Sequence, residues 1–384
     1  MKPQIKKMKR TLQAPSFALL AIIFIIAPAA QAQLSVDVGG YIQTWYIANQ
    51  STEVVTTSQG NLPVLGTETI DTQGFRLRRA RLLTRANIND TFSVTSWIEL
   101  AGTSPSLLCF YADARIRPWF VVRVGQIMMP GQSWDTANNA SSWLLFYDRA
   151  PITTTLSNVM GYSAFRDLGV MIHGRQGSFY YAIQAGNGAG RFVQAGSNIT
   201  ERKPGGGLYG GRFDWEIVDG LTIGSHVATN QQRGVVQAGV GPYDINRTSY
   251  SIRVATNNFG LNRVFTHFEY MSLTAKDESR GIVLNQDNEY NLNGFYAQLG
   301  YRLTREWHLL GRYDEMAEKP GQTGLNVNYD RIYSNNYLFG ISRYIFDGNR
   351  EIMRAHLNYG FGQSGPMDLD NSILVLVFQL RFIP

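Results

Sequence analysis

Short segments in which apolar and polar residues alternate recur along this chain, and they constrain its fold more than any other feature of the sequence. In residues 373–382, for example, Leu or Phe occupies every even-numbered position, whereas Gln379 and Arg381 lie at odd-numbered ones. A period of two places these two sets on opposite faces of a β-strand. The sequence therefore predicts a chain of strands, each with one strongly apolar face.

The connections between these segments alternate in length. Every second predicted strand ends in a tight turn, such as NIND at 87–90, and most of the others end in long polar loops. A closed antiparallel barrel in a membrane has short turns at one rim and long loops at the other. The alternative is a large soluble β protein, in which nothing requires short and long connections to alternate. The long loops are expected at 49–73, 130–164, 188–206, 231–244, 273–290 and 317–331.

We predict sixteen strands and an all-β transmembrane barrel with long extracellular loops, one of them folded into the lumen. An even number of strands returns both ends of the barrel to the same side of the membrane. The strands are expected near 34–48, 74–87, 91–102, 106–117, 119–129, 165–174, 177–187, 207–217, 221–230, 245–257, 260–272, 291–302, 305–316, 332–346, 350–361 and 371–382.

The first 32 residues differ from the rest of the chain. Five basic residues precede the apolar run from Phe17 to Ala27, and the small residues Ala30 and Ala32 follow at a cleavage-like site. This order is typical of a secretory signal peptide, and the run is shorter than the roughly 20 residues of a spanning helix. We therefore expect 1–32 to be a cleaved signal peptide and 33–384 to be one barrel domain in the outer membrane of a Gram-negative cell.

The composition favours a membrane barrel and argues against a nucleic-acid-binding protein. Charged residues make up 17% of the chain, compared with roughly 25% in soluble domains. Gly, Tyr and Phe are abundant, with 38, 20 and 20 copies. Five of the 35 basic residues lie in the leader, which leaves 30 basic residues against 29 acidic ones, so the basic charge is local. Cys109, the only cysteine, allows no intrachain disulfide.

Residues 73–90 (QGFRLRRARLLTRANIND) concentrate five arginines in an otherwise apolar strand. An arginine that faces lipid at the bilayer centre costs roughly 2–4 kcal/mol, so the parity that carries three of them is expected to face the lumen. Arg76 and Arg78 have the other parity, and the sequence leaves open whether they lie at the rim or are turned inward by a bulge. The positions expected on the lumen side are Arg79, Arg81, Arg85, Leu77 and Leu83.

The strands predicted at 106–117 and 119–129 continue this charged wall. Rings of arginine favour anions in a pore, and a guanidinium binds phosphate oxygens through two parallel hydrogen bonds. Glu99 and Asp113 share the same wall, so for each arginine an internal salt bridge is as good an interpretation as anion selection. The arginines that these two strands add to the lumen are Arg115, Arg117 and Arg123.

The loop at 130–164 is the longest, and it carries side chains too apolar to lie in water, among them Trp134, Trp143 and Phe146. We predict that it folds back into the barrel, narrows the lumen and places Asp148 and Arg149 near a constriction. The alternative is that the loop packs on a neighbouring protomer.

Three phrases resemble the phosphate-selective porin O and P family: GFRLRRARLLTRANIND (74–90), DARIRPWFVVRVGQIMMPG (113–131) and FRDLGVMIHG (165–174). The likeness extends from about residue 36 to the end of the chain. It implies a trimeric, 16-stranded outer-membrane channel for small anions such as phosphate, with loops folded inward and arginines along the path.

The resemblance also singles out individual residues. Arg79 and Arg81 match the paired arginines on the family's second strand, and Arg166 with its neighbour Asp167 matches the beginning of the sixth. Where members often carry Lys after the VGQ phrase, this chain has Met, which removes a positive charge near the constriction. The candidate lumen residues are thus Arg79, Arg81, Arg85, Arg115, Arg117, Arg123, Arg149 and Arg166.

The function that follows is a porin for passive diffusion of small hydrophilic solutes, with a preference for anions. We expect outer-membrane lipid, small anionic solutes and two further copies of the chain as partners, and no nucleic acid or cofactor. The alternatives are an unselective porin and an outer-membrane barrel enzyme, which would need a set such as His267 with Ser272 or Asp277. The five histidines lie on different predicted strands without metal-ligand spacing, so no metal site is expected.

Overall fold

The computed structural model describes residues 34–57, 65–129, 146–160, 165–190, 206–237, 240–257, 263–278, 288–319, 332–364 and 369–382. The predicted signal peptide at 1–32 lies outside the described residues.

The chain forms a closed antiparallel barrel of sixteen strands that pair in chain order, and β1 pairs with β16 to close it. The predicted fold class is thus confirmed. The strands are β1 (Ser35–Thr57), β2 (Leu65–Asn87), β3 (Phe92–Glu99), β4 (Ser106–Arg117), β5 (Phe120–Met128), β6 (Arg166–Gln176), β7 (Phe179–Gly186), β8 (Gly207–Val218), β9 (Leu221–Gln237), β10 (Val240–Asn257), β11 (Val264–Asp277), β12 (Glu289–Arg302), β13 (Trp307–Lys319), β14 (Ile332–Asp347), β15 (Arg350–Ser364) and β16 (Leu369–Phe382).

The alternation read from the sequence separates an outer from an inner face of the barrel wall. On β1, Val36, Val38 and Ile42 are exposed on the outside, whereas Tyr41 and Gln43 are buried inside. Exposed Leu, Ile, Val, Phe and Tyr side chains recur in this way on strands around the barrel. A wall with this arrangement presents an apolar surface to lipid and keeps its polar side chains in the lumen.

Two of the predicted long loops are wrong in their bounds. β1 continues to Thr57 and β2 begins at Leu65, within the expected loop 49–73, and β9 and β10 fill most of the expected loop 231–244. In these extensions polar residues pair across the ladder, as Gln231 does with Asn246. Because polar residues there occupy successive positions, the apolar alternation that marks a lipid-facing strand is missing.

The loop between β5 and β6 contains a helix that the sequence did not predict, α1 (Pro151–Val159). Its three consecutive threonines are poor helix formers. Pro151 begins the helix with its φ already set, and Ile152 and Leu156 are fully buried. Packing against the barrel therefore stabilises the helix more than its intrinsic propensity. No helix among the described residues is long and apolar enough to cross a membrane.

A β-bulge interrupts the pairing of β1 with β2. Gln43 pairs with Arg79 and the next residue, Thr44, pairs with Leu77, so Arg78 is the extra residue. A bulge changes the face on which the following side chains lie. Leu77 is consequently 52% exposed on the outer face, and its predicted lumen position is wrong because the bulge shifts the parity by one.

Candidate pore constriction

The segment 146–160 crosses the interior of the barrel. Phe146 packs on Leu310 and Leu338 of β13 and β14. The ring of Tyr147 meets Trp45 of β1 edge-on, with ring centroids 5.5 Å apart. The prediction that the loop enters the lumen therefore holds for this segment, while residues 130–145, with Trp134 and Trp143, lie outside the part of the chain that the structure describes.

Helix α1 completes the inward fold of the loop. Its buried side chains Ile152 and Leu156 join an apolar cluster with Leu273 on β11 and Leu292 on β12. These strand residues lie on the inner face of the wall, on the parity opposite to the exposed Phe268 and Leu299. The helix is therefore packed against the inside of the barrel, where it fills lumen that a bare sixteen-stranded wall would leave to water.

Asp148 connects this segment to the arginines of β2. Its carboxylate lies 3.2 Å from Nη2 of Arg78 and 3.6 Å from Nη2 of Arg79. Arg79 is only 2% exposed and also donates to the side-chain oxygen of Gln43. Burial alone would raise the pKa of Asp148, but the two guanidiniums outweigh it and hold the pKa below its usual value. The group is thus a carboxylate at neutral pH.

The bulge turns the remaining two arginines of β2 inward. The guanidiniums of Arg76 and Arg78 lie 5.6 Å and 5.3 Å from the centroid of the Trp45 ring. Trp45 is an inner-face residue of β1 and is buried. The choice that the sequence left open, rim or lumen, is thereby decided for both arginines in favour of the lumen.

Some of the predicted lumen arginines form salt bridges with the carboxylates of the same wall. Arg81 Nε lies 2.8 Å from Glu99, and Arg123 donates two hydrogen bonds of 2.7 and 2.9 Å to Asp113. Arg85 is farther from Asp113, at 3.9 Å. For Arg81 and Arg123, the interpretation as internal salt bridges therefore agrees with the geometry, and their charge is largely balanced locally.

Arg115 and Arg117 lie near the tight turn between β4 and β5, and both are exposed. A register shift separates them, because Arg115 pairs with Val121 and Arg117 with Phe120. Neither arginine has an ion-pair partner within the described part of the chain. They therefore contribute positive charge to the turn end of the barrel rather than to the constriction.

Arg149 follows Asp148 on the inward segment, and Arg166 is the first residue of β6. The Arg149 guanidinium stacks 4.8 Å from the ring centroid of Phe165. Arg166 is buried and donates a 3.1 Å hydrogen bond to Sγ of Cys109, and it lies close enough to Arg81 and Arg149 to be repelled by them.

Among the described residues, guanidiniums outnumber carboxylates where the inward segment meets the wall. Six guanidiniums lie there with three carboxylates, those of Asp148, Glu99 and Asp314. Charges near one another in a site of low dielectric interact more strongly than in bulk water. The six are Arg78, Arg79, Arg81, Arg149, Arg166 and Arg312.

Arg312 is a residue of the constriction that the sequence reasoning missed. It donates 2.7 Å to the backbone carbonyl of Asp148, and its guanidinium lies 5.2 Å from the ring of Phe146. Asp314, two residues along β13, accepts 2.9 Å from Arg312. The sequence does carry a signal for it, because Arg312 and Asp314 share one parity of a segment that the alternation predicts to be a strand.

Among the described residues, the side chains of His267 and Ser272 have partners other than each other. His267 meets the ring of Tyr296 edge-on, and Ser272 donates 2.6 Å to Asn293. In another cluster, Ser251 lies 2.5 Å from His226 and donates 2.8 Å to Glu269. Ser251 thus donates its proton to the carboxylate of Glu269, whereas a serine nucleophile would have to donate it to a histidine that acts as base.

No group of three or more His, Cys, Asp or Glu side chains is placed to hold a metal ion within the described ranges.

Comparisons with known proteins agree with this fold. A family model of phosphate-selective porins O and P matches residues 58–359. A comparison with curated protein sequences finds no match.

Among solved structures, the barrel is similar to the trimer form of OmpT, an outer membrane protein of Vibrio cholerae, with a TM-score of 0.58 and 10% identity over 91% of this chain and 99% of that one. It is also similar to the anion-selective porin from Comamonas acidovorans (TM-score 0.55, 10% identity, covering 91% and 100%). The outer membrane channel DcaP of Acinetobacter baumannii is a third similar structure (TM-score 0.55, 10% identity, covering 91% and 97%). The chain is therefore an outer-membrane porin and belongs to the phosphate-selective porin O and P family.

Proposed function

We propose that this porin lets small hydrophilic solutes diffuse passively across the outer membrane and prefers anions, phosphate among them. The observation that carries the proposal is the excess of guanidinium groups over carboxylates where the inward loop meets β2. Fixed guanidiniums replace part of the hydration of a passing anion and repel cations. Such a wall acts without a catalytic step or a cofactor.

The eight sequence-predicted arginines divide into two roles in this proposal. Arg79, Arg81, Arg149 and Arg166 act at the constriction, where the lumen is narrowed by the loop. Arg85, Arg115, Arg117 and Arg123 provide positive potential along the path toward the tight turns, with Arg123 balanced by Asp113. A potential that continues beyond the constriction draws anions through it rather than holding them there.

Export and assembly complete the proposal. Residues 1–32 act as a signal peptide that is removed, and 33–384 form the mature barrel. The chain assembles as a homotrimer through its outer walls. The similarity to a structure described as the trimer form of OmpT supports this assembly.

An unselective porin is the second candidate, and a specific observation favours it. The ion pairs Arg81–Glu99 and Arg123–Asp113 neutralise two of the predicted anion-binding residues. If the remaining pairs did the same, the lumen would be polar but would have no preference of sign.

The reversal potential of the purified full-length porin in a planar bilayer separates the two candidates. With a KCl gradient across the membrane, a pore that prefers anions gives a reversal potential with the sign of the chloride equilibrium potential. A potential near zero would favour the unselective porin, and one of the opposite sign would exclude the proposed preference.

A further inference from the structure

A cavity lies inside the barrel on the side of the constriction where the long loops connect the strands. Its volume is about 430 Å³, and it is bounded by β1, β2, β14, β15, β16 and the inward segment at Tyr147 and Asp148. Cavities of roughly 300–1,000 Å³ are the size that holds small organic molecules. A solute that enters from the loop side meets this cavity before it reaches the constriction.

One wall of the cavity is cationic and held in place. Arg76 and Arg78 both lie against the buried ring of Trp45, at 5.6 and 5.3 Å. The pairing with an aromatic ring restricts the guanidiniums before any ligand arrives. Arg78 shares its charge with Asp148, whereas Arg76 has no ion-pair partner among the residues that the structure describes. Arg76 is therefore the guanidinium most available to an anionic group.

The wall contributed by β14 and β16 is uncharged. Its polar side chains are Ser334, Asn336, Asn371 and Ser372, and the apolar Leu338 and Ile373 lie among them. The amide of Asn336 donates 3.0 Å to Oγ of Ser334 and 2.7 Å to Asp314, so this side is held by its own hydrogen bonds. Both N–H groups of Asn336 are used in these bonds, so its amide oxygen and the hydroxyl groups of Ser334 and Ser372 are the groups that face a solute. An oxygen that accepts and hydroxyls that donate or accept suit the hydroxyl groups of a solute better than a second anionic group.

We infer that this cavity is a binding site for a hydroxylated organic anion, of which a sugar phosphate is the representative. The phosphate lies against Arg76 and Arg78, and the hydroxyl groups of the sugar face the amides and hydroxyls opposite. The carboxylate of Asp148, on the cavity's inner edge, accepts from a sugar hydroxyl and disfavours a second negative group. The inference rests on the proposed function, since it names a solute class that the anion-preferring pore collects.

The test is block of the ion current through the full-length porin in a planar bilayer, with the solute added on the loop side. Glucose 6-phosphate, inorganic phosphate and glucose are compared. Recognition of both parts of the solute predicts that glucose 6-phosphate blocks at concentrations about tenfold lower than inorganic phosphate, and that glucose does not block at the same concentrations. Equal block by glucose 6-phosphate and inorganic phosphate would overturn the inference without any substitution in the protein.

Arg76→Gln supplies the second measurement. We expect about a tenfold weaker block by glucose 6-phosphate, the loss of one charge-assisted hydrogen bond. The matched control is Arg343→Gln, an exposed arginine at the rim with the tight turns that pairs with Glu306, and it should leave the block unchanged. An unchanged block in Arg76→Gln would contradict the site. Failure of the proposed function is distinguishable, because it shows in the reversal potential in KCl, with no organic solute present.

Discussion

The carboxylate of Asp148 lies 3.2 Å from the guanidinium of Arg78, and this contact joins the inward loop to the wall of the barrel. The same carboxylate lies 3.6 Å from the buried Arg79. One acidic residue on the loop therefore has two functions. It anchors the constricting segment, and it reduces the positive charge where that segment meets β2.

Replacing Asp148 by Asn should increase the preference for anions. The change removes one negative charge and keeps the shape of the side chain, so the permeability ratio of chloride to potassium should rise about two- to fivefold. The reversal potential in a KCl gradient measures this ratio. Glu306→Gln, which removes an exposed carboxylate at the turn rim, is the control and should have no comparable effect. A decrease in Asp148→Asn would show that the loop, rather than its charge, sets the selectivity.

Arg79→Gln should change selectivity in the opposite direction. The substitution deletes a guanidinium that is buried at the constriction, while Gln can still hydrogen-bond with Gln43. The chloride-to-potassium ratio should fall about two- to fivefold, and Arg343→Gln serves as the control at the rim with the tight turns. If Arg79→Gln retained the native reversal potential, as the control should, the positive charge of Arg79 would have no part in the selection of ions.

The sequence predicts those features of this site that depend on residues close together in the chain, and it does not predict those that depend on residues far apart. The inward parity of Arg79, Arg81 and Arg85 follows from local alternation, and burial of the greasy loop follows from the cost of exposing it. The bulge at Arg78 cannot be predicted from local alternation, because a one-residue insertion is visible only in the pairing of β1 with β2. The contact of Asp148 with Arg78 joins residues far apart in sequence, and only the fold brings them together.

The bulge itself can be tested by cysteine labelling. Leu77→Cys should react with a probe dissolved in the lipid, and Arg76→Cys with a charged probe in water, because the two side chains lie on opposite faces of β2. Without the bulge the assignments would be exchanged. Cys109, the native cysteine, is buried and should give little background.

Detaching α1 from the wall should widen the pore. Leu156 is fully buried in the apolar cluster beneath the helix, and an uncompensated carboxylate there costs several kcal/mol. Since the ladder of β-strands closes without the helix, Leu156→Asp should fold as a barrel and show a larger single-channel conductance. Asn158→Asp adds the same charge at an exposed position of the same helix. A conductance increase in both variants would attribute the effect to charge rather than to the release of the helix.

Acid should act on the constriction through Asp148. Its pKa lies below the ordinary value of 3.8 because Arg78 and Arg79 outweigh the effect of burial. A carboxyl group whose pKa is lower in the folded state contributes stability above its ordinary pKa, and that contribution is lost as the pH falls through the lowered value. Anion preference should therefore stay level from pH 7 to about pH 5 and rise only as the pH falls through the lowered pKa, where Asp148 becomes neutral and frees both arginines.

Reversal potentials measured at each pH for the native porin and for Asp148→Asn give the part due to this residue, since Asn cannot titrate. The difference between the two proteins should shrink in acid. A difference that stayed constant down to pH values well below the ordinary pKa would mean that Asp148 does not titrate in this range, or that its charge does not reach the permeating ions.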